Sequence, residues 1–418
     1  MNRRSIGVVG AGVAGLTAAY VLSHRYDVVL YEADDRLGGH AHTHELPARG
    51  GGTLAVDTGF IVHNERTYPQ LLRLFRELGV TGQDAEMSMS VRCDGCGLEY
   101  AGARGPRGLF GGGNLRRGRH LRMLAAVPRF HRTARRLLAS GDDTLTFGAF
   151  LEREGFTPYF VGHFAVPLVS AVWSCAPDTA LEHPAAYLFR FLDHHGLLSV
   201  TGSPRWKTVT GGSSAYVDRV AKRLSEVRTA TPVRAVTRGA DHACVTTDDG
   251  ETTEHAAVVI AVHADQALRV LADPTPDERR VLGAFTYSRN PTVLHRDTSV
   301  LPASPHARAS WNYRLPDCTA RPRAVQVSYD MNRLQQLASD RSHIVTLNPD
   351  ARVDDSTVLA RMVYEHPVHT LRSVAAQREL PRLSSSVTAF AGAYHGWGFH
   401  EDGCRSGVEA ARSLGVNW

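Results

Sequence analysis

Lysine is almost absent: of the 47 basic residues only Lys207 and Lys222 are lysine, and the rest are arginine. Genome composition explains that bias as readily as selection does, and a net charge of only +5 with no basic tail gives no support to nucleic-acid binding. Cysteine is sparse too. Six residues, Cys93, Cys96, Cys175, Cys244, Cys318 and Cys404, are too few and too scattered for a disulfide framework, which points to a reducing compartment. Long apolar runs are missing: the stretch from Tyr159 to Trp173 is broken by Gly162, His163 and Pro167 and falls short of the roughly 20 residues that span a bilayer. There is no internal repeat and no low-complexity tract. What remains is an ordinary globular composition, 43% hydrophobic and 21% charged over 418 residues, which excludes a disordered or fibrous chain and suggests two domains.

Arg3-Arg4 ahead of the apolar run Ile6 to Leu22 imitates a twin-arginine or secretory signal. The run carries Gly7, Gly10, Gly12 and Gly15 at motif spacing and has no small-residue cleavage site, so the expectation is a cytoplasmic protein. Ser5 to Val9 reads as a buried strand, Val13 to Ser23 as a helix and Asp27 to Tyr31 as a second strand. Leu71, Leu72, Phe75 and Leu78 recur at helical spacing. The pattern then changes: residues 82–204 read as a short strand region followed by helices, 205–282 return to a βαβ grammar, 283–366 read as sheet, and 367–418 close with a strand at Val387 to Ala391 and a helix from about Gly403. This gives an α/β nucleotide-binding domain in three pieces (1–81, 205–282, 367–418) and an inserted α+β substrate domain in two (82–204, 283–366).

Gly10-Ala11-Gly12-Val13-Ala14-Gly15 matches G-x-G-x-x-G between a strand and a helix, where glycines permit a tight turn, close approach of backbone to a pyrophosphate and close helix packing. The helix N-terminus offers free N–H groups to the phosphates. Glu32, 20 residues after Gly12, closes the second strand, where a carboxylate accepts from ribose hydroxyls. The pattern reads as a dinucleotide site, for NAD or FAD.

Glu32-Ala33-Asp34-Asp35-Arg36-Leu37-Gly38-Gly39 resembles the E-x-x-x-R-x-G-G extension of FAD-binding amine oxidoreductases, and the chain is similar over nearly its whole length to the flavin amine oxidase and phytoene desaturase superfamily. The resemblance implies a Rossmann-like FAD domain of the glutathione-reductase type. It places Gly10, Gly12, Ala14, Gly15, Glu32, Ala33, Arg36, Gly38, Gly39 and His40 along the FAD, with Gly59 and Phe60 of Val56-Asp57-Thr58-Gly59-Phe60. Thr210-Gly211-Gly212 resembles the family's x-G-G motif, and Val233 stands where the family's backbone holds the adenine. The stretch from Phe390 to Gly403 resembles the terminal flavin motif, implicating Gly392, Asp402 and Gly403, with the last helix aimed at the flavin. Cys404 is the one residue to check for a covalent link; the expectation is noncovalent FAD.

Counting back from Gly403, the resemblance sets His400 where amine oxidases present an aromatic side chain to the flavin, beside Phe399 and Trp397. A histidine there could carry a proton as hydride leaves, with Tyr394 and His395 as reserves. The wording of this segment most resembles a bacterial branch of uncharacterised NAD/FAD-binding oxidoreductases associated with cyclopropane-fatty-acid-synthase-like enzymes. That implies oxidation or desaturation of a hydrophobic small-molecule, lipid or acyl-chain substrate by hydride transfer to flavin N5. The alternatives are an amine oxidase, disfavoured because relatives of that kind place a lysine near N5, and a non-redox flavoprotein such as an isomerase or a structural partner. With no second G-x-G-x-x-G, reoxidation is expected to use oxygen, a quinone or another carrier.

Other features carry blander expectations. Cys93-Asp94-Gly95-Cys96 has zinc-ligand spacing but no second C-x-x-C or H-x-x-x-H pair, so a turn with two thiols and no metal is expected. His40, His42 and His44 alternate and would share one face of a strand. His194-His195 and His366/His369 read as core or surface histidines. The stretch Arg104 to Arg136, with Leu121, Leu124, Val127 and Phe130 among its arginines, reads as a basic amphipathic segment suited to peripheral contact with an anionic membrane surface through Arg116, Arg117, Arg119 and Arg122, or simply as a solvated face.

Overall fold

The computed structural model describes residues 4–48, 50–199 and 202–418; Arg3 of the Arg3-Arg4 pair lies outside them. Five parallel strands form one sheet in the spatial order Glu226–Arg228, Asp27–Tyr31, Ser5–Val9, Ala257–Ile260 and Thr388–Phe390. The chain therefore winds outward in one direction from Ser5–Val9 and then in the other. The G-x-G-x-x-G turn sits at the C-terminal end of the strand where that reversal occurs, the place where open parallel sheets leave a crevice for a ligand.

One face of the sheet is covered by the helices Val13–Ser23, Pro69–Leu78, Ser214–Ala221 and His400–Ser413, and the other by an antiparallel sheet of Val233–Arg238, Ala243–Thr247 and Thr252–His255. The first helix is apolar all round because it is buried all round, from Val13 to Leu22. Small residues make its seam with the terminal helix. A Cβ on Gly403 would lie 2.6 Å from Val13 Cγ1, and one on Gly407 would collide with the Ala14 carbonyl oxygen.

A second sheet runs Val358–Val368, Thr286–His295, Ile344–Leu347, Val327–Asp330, Trp311–Leu315, Met89–Cys93 and Leu98–Ala101, antiparallel throughout except where Trp311–Leu315 pairs with Met89–Cys93. Helices between residues 118 and 194 pack on it around Phe130, whose ring lies 5.7–6.3 Å from those of Phe147, Phe150, Phe156, Phe160, Phe164 and Phe189. Edge-to-face phenyls fill this layer without polar atoms to satisfy. The strands Met89–Cys93 and Leu98–Ala101 thus come from the otherwise helical stretch, as the sequence suggests. No helix among the described residues is long and apolar enough to cross a membrane.

The terminal helix begins at His400, three residues before the expected start. The cause is Asp402, whose carboxylate accepts from the Phe399 N–H at 3.1 Å and closes the first turn early.

Candidate active site

Gly10, with φ +97°, has the Ala261 carbonyl oxygen 2.7 Å from where a Cβ would stand, so the turn out of the first strand admits only glycine. Gly15 is equally closed, because a Cβ there would collide with the Gly10 carbonyl oxygen. Gly12 is different. Its backbone is extended, at φ −69° and ψ 177°, and a Cβ would meet nothing within 4 Å. Gly39 bounds that space, approaching so closely that its own Cβ would lie 3.2 Å from Gly12 Cα. An open cradle over a helix N-terminus, walled by glycines, suits a pyrophosphate. Ala14 faces the terminal helix beside Gly403 rather than the opening.

Glu32 accepts from the Ala11 N–H at 2.7 Å and the Asp34 N–H at 3.0 Å, which aims its carboxylate across the end of the cradle; burial raises its pKa. Ala33 beside it is exposed, and Arg36 is half-buried at the same rim. The segment leading to Val233 lies along this edge: the Ala230 and Thr231 amides donate to the Asp34 and Glu32 carbonyls at 2.7 and 2.8 Å. Gly38 and Gly39 carry the chain to His40, whose carbonyl accepts from the Phe60 N–H at 2.7 Å across Gly59.

Behind the cradle lies a buried polar group that the sequence did not reveal. The His40 ring is 5.1 Å from that of Tyr364 and 5.3 Å from that of His366. Asn290 donates to His366 Nδ1 at 3.0 Å and accepts from Asn348 at 2.8 Å. The Tyr364 hydroxyl joins Thr58 Oγ1 at 2.7 Å and His42 Nδ1 at 3.0 Å. Burial, then the neighbouring His366, holds His40 well below the usual histidine range, and burial takes His366 down to about 4. Both are neutral imidazoles. His40 Nε2 is buried without a hydrogen-bond partner, which leaves that nitrogen open to a ligand. His366, expected to be a plain core or surface histidine, instead belongs here. Its strand pairs Asn290 with Tyr364 and Ser288 with His366, a register that no local pattern discloses. His42 and His44 do share a face, with rings 4.2 Å apart.

The expected catalytic trio separates. His400 stacks on Phe60 at 3.7 Å and 11°, its Nε2 lies 3.2 Å from the Tyr216 hydroxyl, and burial lowers its pKa to about 3. Burial thus works against the protonated form that a proton carrier has to reach. Tyr394 packs in the core on the other face of the parallel sheet, its ring 5.2 Å from Phe285, and His395 lies against it, pushed down to about 4 by burial. They are not substitutes for His400. Asp402 is already occupied, by the Phe399 amide and by Arg405 at 3.0 Å, so it shapes the helix end rather than reaching a ligand. The Gly392 N–H donates to Ser406 Oγ at 2.9 Å. The rest of the loop is clamped from both domains, with the Trp397 carbonyl accepting from Trp173 and His369, both at 3.1 Å. Cys404 lies in the helix seam, its Sγ 3.5 Å from Thr17 Oγ1.

Glu401 is a further residue that sequence reasoning missed. Its two oxygens accept the Gln70 and Leu71 amides at 3.0 Å, capping the helix Pro69–Leu78. Burial nevertheless raises its pKa to about 7. A carboxyl raised in the folded state stabilises at low pH and loses that contribution as pH rises toward 7. Glu401→Gln, which does not titrate, should therefore gain on the wild type by about 2 kcal/mol between pH 5 and pH 8. Thermal melts at the two pH values check this; a constant difference would show that Glu401 does not titrate there.

The two lysines stay out of the cleft: Lys207 pairs with the exposed Glu65 at 2.8 Å, and Lys222 follows the surface end of Ser214–Ala221. Cys93 and Cys96, expected to form a turn without further ligands, are joined in space by His163 and Cys318. Of the basic segment, Arg117 is occupied by the Cys96 and Gly97 carbonyls at 2.6 and 3.2 Å. Arg116, Arg119 and Arg122 are exposed beside Leu115 and Leu121.

A parallel sheet with a glycine cradle at its reversal point and an acidic residue closing the next strand defines a dinucleotide-binding protein. The model of the flavin-containing amine oxidoreductases matches residues 13–294, and the chain belongs to that family, with FAD as its cofactor. It is 28% identical over 270 residues to the flavin-dependent L-tryptophan oxidase of Lentzea aerocolonigenes, a match covering 60% of this chain and 55% of that protein. The chain spans less than two thirds of the length of the curated relatives it matches. The fold is shared with cyclohexylamine oxidase from Brevibacterium oxydans (TM-score 0.71, 15% identity, 99% of this chain and 98% of that one). It is shared as well with a CLA-producing fatty acid isomerase from P. acnes (TM-score 0.69, 17% identity, 97% of each chain).

Proposed function

We propose that the chain is an FAD-dependent oxidoreductase that oxidises or desaturates an uncharged, hydrophobic substrate of the lipid or acyl-chain class. The five-stranded parallel sheet, backed by the antiparallel sheet on one face, supports a glutathione-reductase-type FAD domain. Gly10, Gly12, Gly39 and Glu32 would hold the dinucleotide half of the FAD, and His40, Phe60 and the loop from Gly392 to Phe399 would face its flavin end. When bound, FAD supplies a two-electron acceptor.

One observation supports the substrate class: the carboxylates buried around the site are already engaged, which leaves none of them to hold an ammonium group. Asp57, Glu278 and Asp402 are fully buried and paired, and the largely buried Glu32 and Glu401 are held by backbone amides. The buried histidines beside the cradle are neutral, and Trp397 and Phe399 line the clamped loop with Trp173 and Phe191 behind them. Such walls exclude water and favour an apolar chain. Exposed arginines beside exposed leucines at Arg116, Arg119 and Arg122 support delivery from an anionic surface, by a cytoplasmic protein that meets the membrane peripherally.

Anaerobic stopped-flow reduction tests both parts. Acyl lipids in anionic vesicles should bleach the flavin, at least 10-fold more slowly at high salt or from neutral vesicles, and alkylamines should be about 10²-fold slower still. Faster reduction by amines would support the amine-oxidase alternative, and product formation without bleaching the non-redox one.

A further inference from the structure

Away from the cleft, three distant stretches of chain bring four side chains to one point of the second domain. Cys93 ends the strand Met89–Cys93, Cys96 lies in the turn before Leu98–Ala101, and Cys318 follows Trp311–Leu315. His163 projects from the π-helical turn Val161–Ala165, the kind of helix defect that recurs at functional sites. The three Sγ atoms and the imidazole nitrogen all lie within 4.8 Å of one another. Cys93 Sγ is 3.8 Å from Cys318 Sγ, and Cys96 Sγ is 3.8 Å from His163 Nε2.

Those separations are far beyond a disulfide bond of about 2.05 Å. They match a tetrahedron around zinc, in which bonds of about 2.3 Å to sulfur and 2.0–2.1 Å to nitrogen set neighbouring ligand atoms roughly 3.6–3.8 Å apart. We propose that Cys93, Cys96, His163 and Cys318 form a structural zinc site.

The surroundings are arranged for it. His163 Nδ1 lies 3.1 Å from the Tyr159 carbonyl, a bond that places the ring proton on Nδ1 and leaves Nε2 free to bind metal; the Tyr159 ring stacks on the imidazole at 4.0 Å and 16°. The Cys93–Cys96 turn is pressed against the Cys318 loop: the Asp94 amide donates to the Leu315 carbonyl at 2.9 Å, and a Cβ on Gly95 would lie 2.8 Å from Asp317 Cα. Three thiolates around a divalent ion leave one negative charge, and the Arg117 guanidinium sits on the Cys96 and Gly97 carbonyls. Four protein ligands leave no open position for substrate, and three thiolates with one imidazole select zinc over hard cations. The ion would tie the edge hairpin of the seven-stranded sheet to the helical layer above it.

Metal analysis of the holoprotein, purified without added metal or chelator, should find about one zinc per chain. Cys318→Ser and His163→Ala should each lose most of it and melt at lower temperature while retaining flavin, whereas Cys244→Ser, in the separate, partly exposed group of His242, Cys244 and Glu254, should keep it. Protein produced in cobalt-supplemented medium should show the tetrahedral d–d bands of a thiolate-rich site at wavelengths longer than flavin absorption, a readout that does not depend on any variant folding. Metal-free protein without those bands, iron as the bound metal, zinc lost from Cys244→Ser instead, or a Cys93–Cys318 disulfide in the purified chain would each overturn the assignment.

Discussion

Valine in place of Gly12 should give a folded, colourless protein. The extended backbone at this position suits any residue, and the first Cβ atom meets nothing within 4 Å, so the apo fold has no clash to relieve. The added methyls instead project into the cradle over the helix N-terminus, where backbone must meet phosphate. Affinity for FAD should fall by at least about 10³-fold, roughly 4 kcal/mol. The melting temperature should equal that of wild type stripped of flavin. Gly15→Val is the contrasting case, because its side chain would collide with the Gly10 carbonyl and the chain should fail to fold. Normal flavin occupancy in Gly12→Val would move the cradle elsewhere.

Asp57→Ala should be among the most destabilising single substitutions in the chain. The side chain is fully buried and accepts from Thr43 Oγ1 at 2.6 Å, Ser213 N and Oγ at 2.9 and 2.7 Å, and Gln335 Nε2 at 3.0 Å. It thereby joins the hairpin of Thr43–Pro47 and Thr53–Asp57, the turn after Thr210-Gly211-Gly212, and the short helix end at Gln335 in the second domain. Alanine strands three buried donors, Ser213 N and Oγ and Gln335 Nε2, and the half-buried Thr43 hydroxyl, at about 1–3 kcal/mol for each buried group left unsatisfied, so a loss of at least about 3 kcal/mol is expected from urea unfolding. Asp57→Asn keeps an acceptor oxygen and should lose less. A midpoint unchanged in Asp57→Ala would mean that the donors find other partners.

The parts of the site legible in the sequence are those built by neighbours along the chain. The G-x-G-x-x-G turn, the strand ending in Glu32 and the Gly38-Gly39 bend each act within about ten residues, so residue type and spacing disclose them. His366 and Asn290 were invisible for the opposite reason: they meet only because two long strands pair in one register. His163 and Cys318 share no spacing with Cys93 and Cys96, and only the sheet order brings them together. The surroundings of His400 were equally out of reach, because Phe60 and Tyr216 come to its ring from distant parts of the chain.

The seam between the first and terminal helices has a consequence for biosynthesis. Gly403 and Gly407 close over Val13 and Ala14 only after every segment between them has been translated, and the strand Thr388–Phe390 joins the sheet equally late. Until then the helix Val13–Ser23, apolar on every side, has one flank uncovered on the ribosome. The first helix therefore waits for its partner through the synthesis of every segment between Ser23 and His400, and an apolar helix left open for that long is the kind of surface that chaperones shield.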